Sequence, residues 1–313
     1  MAVYRWYPKG AAQDELQRIA RVQIERGLGE LDEGDRHHAV HAVRKRGKKI
    51  RALLRLIRPA APDLYRRENA AFRDMMRRVA ADRDAGVAVE TYDDLLERFS
   101  DDGMAEELAP VRAALAQRRA EVLGEELDHR LHAIRMDLLA ARERVGAWEL
   151  EGEGFEVFAG GVAKTYGRAR ARLADAYTDG TSEAFHLWRK RAKYHRYHLR
   201  LLHEAWPALV KAQRQQVHEL TDLLGDDHDL AVLRRDLVDE PERFGGERLA
   251  AALCGLLDRR RAELQAAARL VGQRCFAEEP ERFVDRLRSY WESSSTAPQG
   301  AGALSDPAVV PGR

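Results

Sequence analysis

The sequence of 313 residues has few cysteines, few prolines and no long apolar run. Its two cysteines, Cys254 and Cys275, lack the close spacing of zinc sites and the number needed for a disulfide framework, so we expect both thiols to be reduced. No stretch approaches the ~20 apolar residues that cross a bilayer, and the N-terminus has no apolar run of signal-peptide length. These absences predict a cytoplasmic protein without a membrane partner.

The sequence also has few β-branched runs and only ten prolines, while Ala, Leu, Arg and Glu recur in long segments. This composition predicts an all-α fold. The hydrophobic fraction of 45% is enough to bury a sizeable core. The net charge of +1 gives no overall signature of a nucleic-acid-binding domain, so the information lies in where the charges are placed.

One stretch, His41–Arg58, carries eight Arg or Lys residues and no Asp or Glu; we name it the first basic segment. At 100° per residue, its basic positions share about one quadrant of a helix and its apolar positions lie opposite. The basic positions are His41, Arg44, Lys48, Arg51 and Arg55. Such a helix has one face for a core and the other for an anion.

The same design returns 145 residues later in His186–His203, the second basic segment. All five basic positions match in type, and they are His186, Arg189, Lys193, Arg196 and Arg200. The same offset aligns DRDAGV (82–87) with DHDLAV (227–232) without a gap. Two motifs that share one offset indicate an internal repeat, with halves at 1–150 and 151–292.

These motifs resemble the CHAD domains, a family named for conserved histidines in an α-helical domain. The resemblance rests on His-x-x-Arg-x-x-x-Lys-x-x-Arg in both basic segments and on LGDDHDLAVL (224–233), which is similar to the family's LGxxRDxxVL. It covers roughly Tyr4 to Trp291. The sequence departs from the pattern at Ala80, where the second half has Gly225, and at His228, where the first half has Arg83.

The resemblance implies a single domain over 1–292 made of two four-helix bundles. They are related by a pseudo-two-fold axis around a basic channel that binds inorganic polyphosphate, and it also implies association with polyphosphate granules. Rows of fixed cations suit such a ligand, because many charges are neutralised together and counterions are released. The predicted polyphosphate-binding residues are His41, Arg44, Lys45, Lys48, Arg51, Arg55, Arg83, His186, Arg189, Lys190, Lys193, Arg196 and Arg200. We expect no cofactor and no metal.

Turn and cap signals predict the boundaries of the helices. Glycines end a first helix near Arg26, Pro59 and Pro62 end the first basic segment, and the two DxD motifs form turns. Their Asp84 and Asp229 then cap the following helices or clamp a basic side chain. The predicted helices cover 12–26, 41–58, 64–80, 105–145, 160–177, a segment capped by Ser182, 208–224, 230–238 and 247–276. A tail at 293–313 is predicted to be disordered.

Two other functions compete with polyphosphate binding. His228-Asp229 resembles the dyad of metal-dependent phosphohydrolases, although its counterpart Arg83-Asp84 cannot ligate a metal through Arg. RNA would also be attracted by the basic faces, with Trp188, Tyr194 and Tyr197 as stacking surfaces. We find no nucleophile with a partnered base and no phosphate-binding glycine loop. The sequence therefore favours a binding protein over an enzyme.

Histidines receive two interpretations. His195, His198 and His203 align with Ile50, Leu53 and Arg58, so we expect packing or surface roles for them. His41 and His186 begin the basic segments, where neighbouring cations disfavour the imidazolium form. A bound polyanion would reverse this effect, so we expect their pKa to rise on binding.

Overall fold

The computed structural model describes residues 4–32, 36–99, 102–122 and 126–296. Within these ranges the chain forms eleven α-helices and no strand, which confirms the all-α prediction. They are α1 (Ala12–Glu30), α2 (Arg36–Leu56), α3 (Pro62–Arg77), α4 (Ala80–Phe99), α5 (Asp102–Val122), α6 (Glu126–Val145), α7 (Glu156–Asp179), α8 (Ser182–Leu201), α9 (Pro207–Asp239), α10 (Glu247–Cys275) and α11 (Pro280–Thr296). None of these helices combines the length and apolar character required to cross a membrane.

Glycine was a poor guide to where helices end. Helix α1 continues through Gly27, which is buried with Leu138 beside it, so packing outweighs the roughly 1 kcal/mol cost of a helical glycine. Helix α9 likewise continues through Gly225 and the second DxD motif without a turn. The first DxD motif lies inside α4. The predicted capping by Asp84 and Asp229 is therefore wrong, because neither residue stands at the start of a helix.

Three other boundaries differ from the prediction. The segment 105–145 forms two helices, α5 and α6, and Pro110 lies inside α5. The cap of α8 is Thr181, whose hydroxyl accepts a hydrogen bond from the Ala184 amide at 3.2 Å, and Ser182 is the first helical residue. Helix α11 extends to Thr296, so 293–296 are helical. The remainder of the predicted tail lies outside the described residues.

Two apolar clusters form the interior. The larger joins α1, α2, α3, α6, α7, α8 and α11, and aromatic edges such as Trp6 on Phe158 (centroids 4.6 Å apart) fill its centre. The smaller joins α4 and α5 with α9 and α10, where the Tyr92 hydroxyl donates to the Leu108 carbonyl at 2.8 Å. Each cluster contains residues from before and after position 150. The two halves are thus fused through both cores, and the pseudo-two-fold relation itself stays a prediction.

Helices α2 and α8 pack directly against each other and run in opposite directions. His198 Nε2 lies 3.0 Å from the Ala52 carbonyl oxygen, and the Arg55 guanidinium lies over the Tyr194 ring at 4.0 Å from its centroid. Moving forward along α2 from Ala52 to Arg55 thus moves the contact backward along α8. Helix α7 closes the junction, because a Cβ at Gly161 would fall 1.8 Å from the Leu56 carbonyl oxygen.

Candidate functional site

The basic side chains of α2 reach toward α3. Nη1 of Arg44 donates to the Val79 carbonyl at 3.0 Å, at the C-terminal end of α3, where helix carbonyls lack intrahelical partners. Arg51 donates from Nε to Oδ1 of Asn69 at 3.1 Å. Both guanidinium groups are half-buried. Arg44 and Arg51 are therefore held in fixed positions along the α2–α3 boundary.

The basic side chains of α8 reach toward α9 in the same way. Arg189 is buried, with only 7% of its surface exposed, and a Cβ at Gly225 would lie 3.5 Å from its Nη2. Nη1 of Arg196 donates to the Thr221 hydroxyl at 2.9 Å and lies 3.7 Å from a carboxylate oxygen of Asp222. The absence of a side chain at Gly225 thus lets Arg189 lie against α9.

The antiparallel packing sets the two basic faces end to end. His41 lies eleven residues before Ala52, and His186 lies twelve before His198, so each is about 17 Å along its helix from the point where α2 contacts α8. Lys45 and Lys190 are exposed, while Lys48 and Lys193 are half-buried. The side chain of Arg83 lies outside the described part of the chain. That these residues contact one ligand stays a prediction.

Arg55 and Arg200 occupy equivalent positions with different surroundings. Nη1 of Arg55 donates to the Arg51 carbonyl at 2.9 Å, and the Tyr194 ring covers its guanidinium. Burial lowers the pKa of Arg55. Arg200 is exposed and lines a cavity. Of this pair, Arg200 is the side chain that an anion reaches more easily.

The histidines that begin the two segments also differ. The His186 ring stacks on His228 with centroids 4.0 Å apart, and burial, followed by Lys190, Arg189 and Lys193, lowers its pKa to about 4. The direction agrees with the sequence analysis, but burial is the larger cause. His41 is exposed and lines a cavity of about 930 Å³.

That cavity brings carboxylates close to the first basic face, which the sequence analysis had treated as uncompensated. Its acidic lining comes from α4 and α9, and its arginines from α4, α5 and α10. These residues are Glu90, Asp94, Glu97, Asp226 and Asp229 together with Arg98, Arg119 and Arg260. Burial and then Asp229 raise the pKa of Asp226. The His41 end therefore has a mixed charge.

The structure separates the two members of the suspected catalytic dyad. Asp229 lines the large cavity, whereas His228 lines a different one beside Ser182 and Arg261. Consecutive helical residues point about 100° apart, which accounts for this separation. Across the described ranges, no group of three His, Cys, Asp or Glu side chains is arranged to hold a metal ion.

Three aromatic or imidazole side chains of α8 belong to the core. His195 is buried between Tyr166, Phe276 and Phe283, and burial lowers its pKa to about 3. His198 is buried as well, with a pKa lowered by burial to about 4. These placements confirm the packing role predicted for both. Trp188 is fully buried, so its predicted role as a stacking surface is wrong.

Sequence reasoning missed a second group of cations, which we name the basic cavity. It encloses about 340 Å³ where α8 ends and α9 begins, and it is lined by Tyr4, Arg5, Arg200, His203, Lys211 and Arg214. Lys49 lies beside it, almost fully buried, with its ammonium over the Tyr4 ring at 5.3 Å. Of these residues, only Arg200 was among the predicted ligands. The others are far apart in sequence and follow no helical period.

The fold and the paired basic helices define a helical protein with an extended cationic face. The sequence profile of the CHAD domain matches residues 18–238, and the chain belongs to this family. A crystal structure of the CHAD domain from the plant Ricinus communis is similar, with 19% sequence identity, a TM-score of 0.48 and 94% of each chain covered. No curated protein matches the chain.

Proposed function

We propose that this protein binds inorganic polyphosphate without catalysis, along the basic faces of α2 and α8. The observation that carries the proposal is the direct antiparallel packing of these helices, which joins two short cationic rows into one about 35 Å long. A polyanion that spans it meets many cations at once, and releasing their counterions favours binding. The family membership supports the same ligand class.

The fixed guanidinium groups support this proposal. Arg44, Arg51 and Arg196 are oriented by neutral acceptors on α3 and α9. Orienting a cation before the ligand arrives reduces the entropy that binding would otherwise cost. The separation of His228 from Asp229 gives the phosphohydrolase alternative no assembled site.

RNA is the second candidate ligand, and the surroundings of the aromatic residues weigh against it. Trp188 is buried, and Tyr194 is covered by Arg55. Tyr197 is half-buried and packs edge-on against Tyr4 at 6.3 Å. Without exposed rings, an RNA strand would bind through its phosphates alone, and polyphosphate presents a denser row of charges for that contact.

A charge-reversal experiment tests the proposal. The variant K48E/K193E changes one half-buried lysine on each basic face, and we expect it to lose nearly all affinity for long-chain polyphosphate at physiological salt. The matched control is R274E/R282E, which has the same change in net charge at exposed positions of α10 and α11. Circular dichroism and melting curves establish that both variants fold.

Competition then identifies the ligand. Long-chain polyphosphate should displace labelled polyphosphate better than single-stranded RNA at equal charge concentration, and wild-type affinity should fall steeply with salt. Equal competition by RNA would contradict the assignment to polyphosphate. A folded K48E/K193E protein with wild-type affinity would show that the binding face lies elsewhere.

A further inference from the structure

The basic cavity gathers cations that lack neutralising partners nearby. Arg5 forms an ion pair with Glu204 at 2.7 Å. Elsewhere in the described chain, no carboxylate oxygen lies within 4 Å of the charged nitrogens of Arg200, Lys211 or Arg214. Three cations therefore share a small cavity with one neutralised arginine, which is the charge distribution of an anion site.

The cations in this cavity act on one another. Burial lowers the pKa of Arg200, and Arg214 lowers it further. Burial and then Arg5 lower the pKa of His203. A folded protein retains such repulsion at a cost, and an anion in the cavity would relieve it.

One wall of the cavity is fixed to the core. Tyr4 is buried, and its hydroxyl donates to the Lys49 carbonyl at 2.8 Å. The Trp6 amide donates to the Leu201 carbonyl at 2.8 Å, which ties the N-terminal segment to the end of α8. The cavity is therefore a closed end and is poorly suited to a chain that continues past it.

The other end of the cationic row has no equivalent cavity. At the repeat offset of 145 residues, Lys211 aligns with Arg66 and Arg214 with Asn69. Arg66 forms an ion pair with Asp63, and Asn69 is neutral. The extra cations thus belong to one end of the row alone.

We propose that the basic cavity binds one terminal phosphate group of a linear polyphosphate, an inference that rests on the proposed function. Arg200 belongs both to the basic face of α8 and to the cavity, so a chain along that face reaches the cavity at its end. A terminal phosphate has a second ionisation near pH 6 and so carries more charge than an internal one. A compact group of cations selects for that extra charge.

Two small probes separate chain ends from internal phosphates. Linear tripolyphosphate has two terminal phosphates, whereas cyclic trimetaphosphate has none. With the full chain, K211Q/R214Q should weaken tripolyphosphate binding about tenfold and trimetaphosphate binding less than about twofold. The control R274Q/R282Q, with the same change in net charge, should leave both unchanged. Isothermal titration calorimetry gives the affinities.

Phosphorus NMR supplies a readout that does not depend on a variant. Wild-type protein should shift and broaden the terminal resonance of tripolyphosphate more than the central one. Equal effects on the two resonances, or an equal loss of both probes in K211Q/R214Q, would overturn the inference while leaving polyphosphate binding intact. If the variant loses orthophosphate binding but keeps tripolyphosphate affinity, the cavity is a free-phosphate site and the inference is wrong. If wild-type protein binds no polyphosphate of any length, the proposed function fails first.

Discussion

Helices α2 and α8 carry the same five basic positions, yet the protein holds these positions differently. Arg44 is half-buried and bonded to a helix end, whereas its counterpart Arg189 is buried against α9. In the next heptad the order reverses, because Arg55 is covered by an aromatic ring and Arg200 is exposed. The comparison teaches that a repeated cation need not have a repeated role: one copy is held in the structure while the other faces solvent.

The largest expected effect is on stability at the buried member of the first pair. R189E should destabilise the protein by roughly 3–5 kcal/mol, because it places a carboxylate in a buried site near Asp227. R44E should cost roughly 1–2 kcal/mol, since it breaks hydrogen bonds at a half-buried site. Urea denaturation measures both values.

Exposed equivalents serve as controls for that pair. K45E and K190E should each change the free energy of unfolding by less than about 0.5 kcal/mol. Equal losses for R189E and R44E would contradict the asymmetry between the two helices.

Acid should affect α8 more than α2, because α8 buries histidines where α2 has aliphatic residues. The pKa of His195 is lowered to about 3, below the ordinary value near 6.5, so the unfolded chain binds the proton more tightly. Stability should therefore fall as the pH drops through 6.5, by roughly 3 kcal/mol at pH 4 from this residue. H195I introduces the residue found at the equivalent position 50, and it should remove that part of the acid sensitivity.

Thermal melting of wild type and H195I between pH 7 and pH 4 checks this prediction. The two curves of stability against pH should diverge toward acid. Parallel curves would show that His195 does not lose its proton-binding ability on folding.

A close approach on α2 has no counterpart on α8. A Cβ at Gly47 would lie 2.5 Å from the Met76 sulfur, whereas the equivalent position 192 is a buried alanine. G47A should destabilise the protein by roughly 1–3 kcal/mol through overpacking. Because the atom in the way belongs to a flexible side chain, adding M76A should recover part of the loss, and a double-mutant cycle measures the coupling. Strict additivity would exclude the contact with Met76 as the cause.

The smallest effect concerns Lys49, whose equivalent on α8 is Tyr194. Burial, followed by Arg46 and Arg200, lowers the pKa of Lys49 to about 7, so the folded protein resists its charged form. This penalty is fully present below pH 7 and is relieved as the pH rises toward the unfolded value near 10.4. K49M should stabilise the protein by about 1–2 kcal/mol at pH 6 and by less at pH 9. A gain that does not depend on pH would point to packing instead of charge.

Periodic and local signals predicted much of this arrangement. The helical period of the basic segments predicted α2 and α8, and the shared offset predicted that they belong together, because repeated units bury equivalent faces. Helix ends were less predictable: Gly27 and Gly225 look like breaks in sequence, but buried neighbours keep the helices intact.

Long-range contacts set the limit for the candidate site. The carboxylates beside His41 come from α4 and α9, and no pattern near position 41 indicates them. Arg5, Lys211 and Arg214 meet only because the N-terminal segment folds onto the end of α8. Burial of Lys49 was equally hidden, since its neighbours in sequence are cations that ordinarily face water.

The opposite directions of α2 and α8 bear on the polarity of a ligand. Two equivalent helices that run antiparallel present nearly the same order of groups when read from either end. Linear polyphosphate also reads the same from both ends, so a chain could enter in two orientations, whereas a nucleic-acid strand has distinct 5′ and 3′ ends and gains nothing from such a receptor. Where the two helices differ, as at Arg55 and Arg200, the protein supplies a direction that the ligand itself does not have.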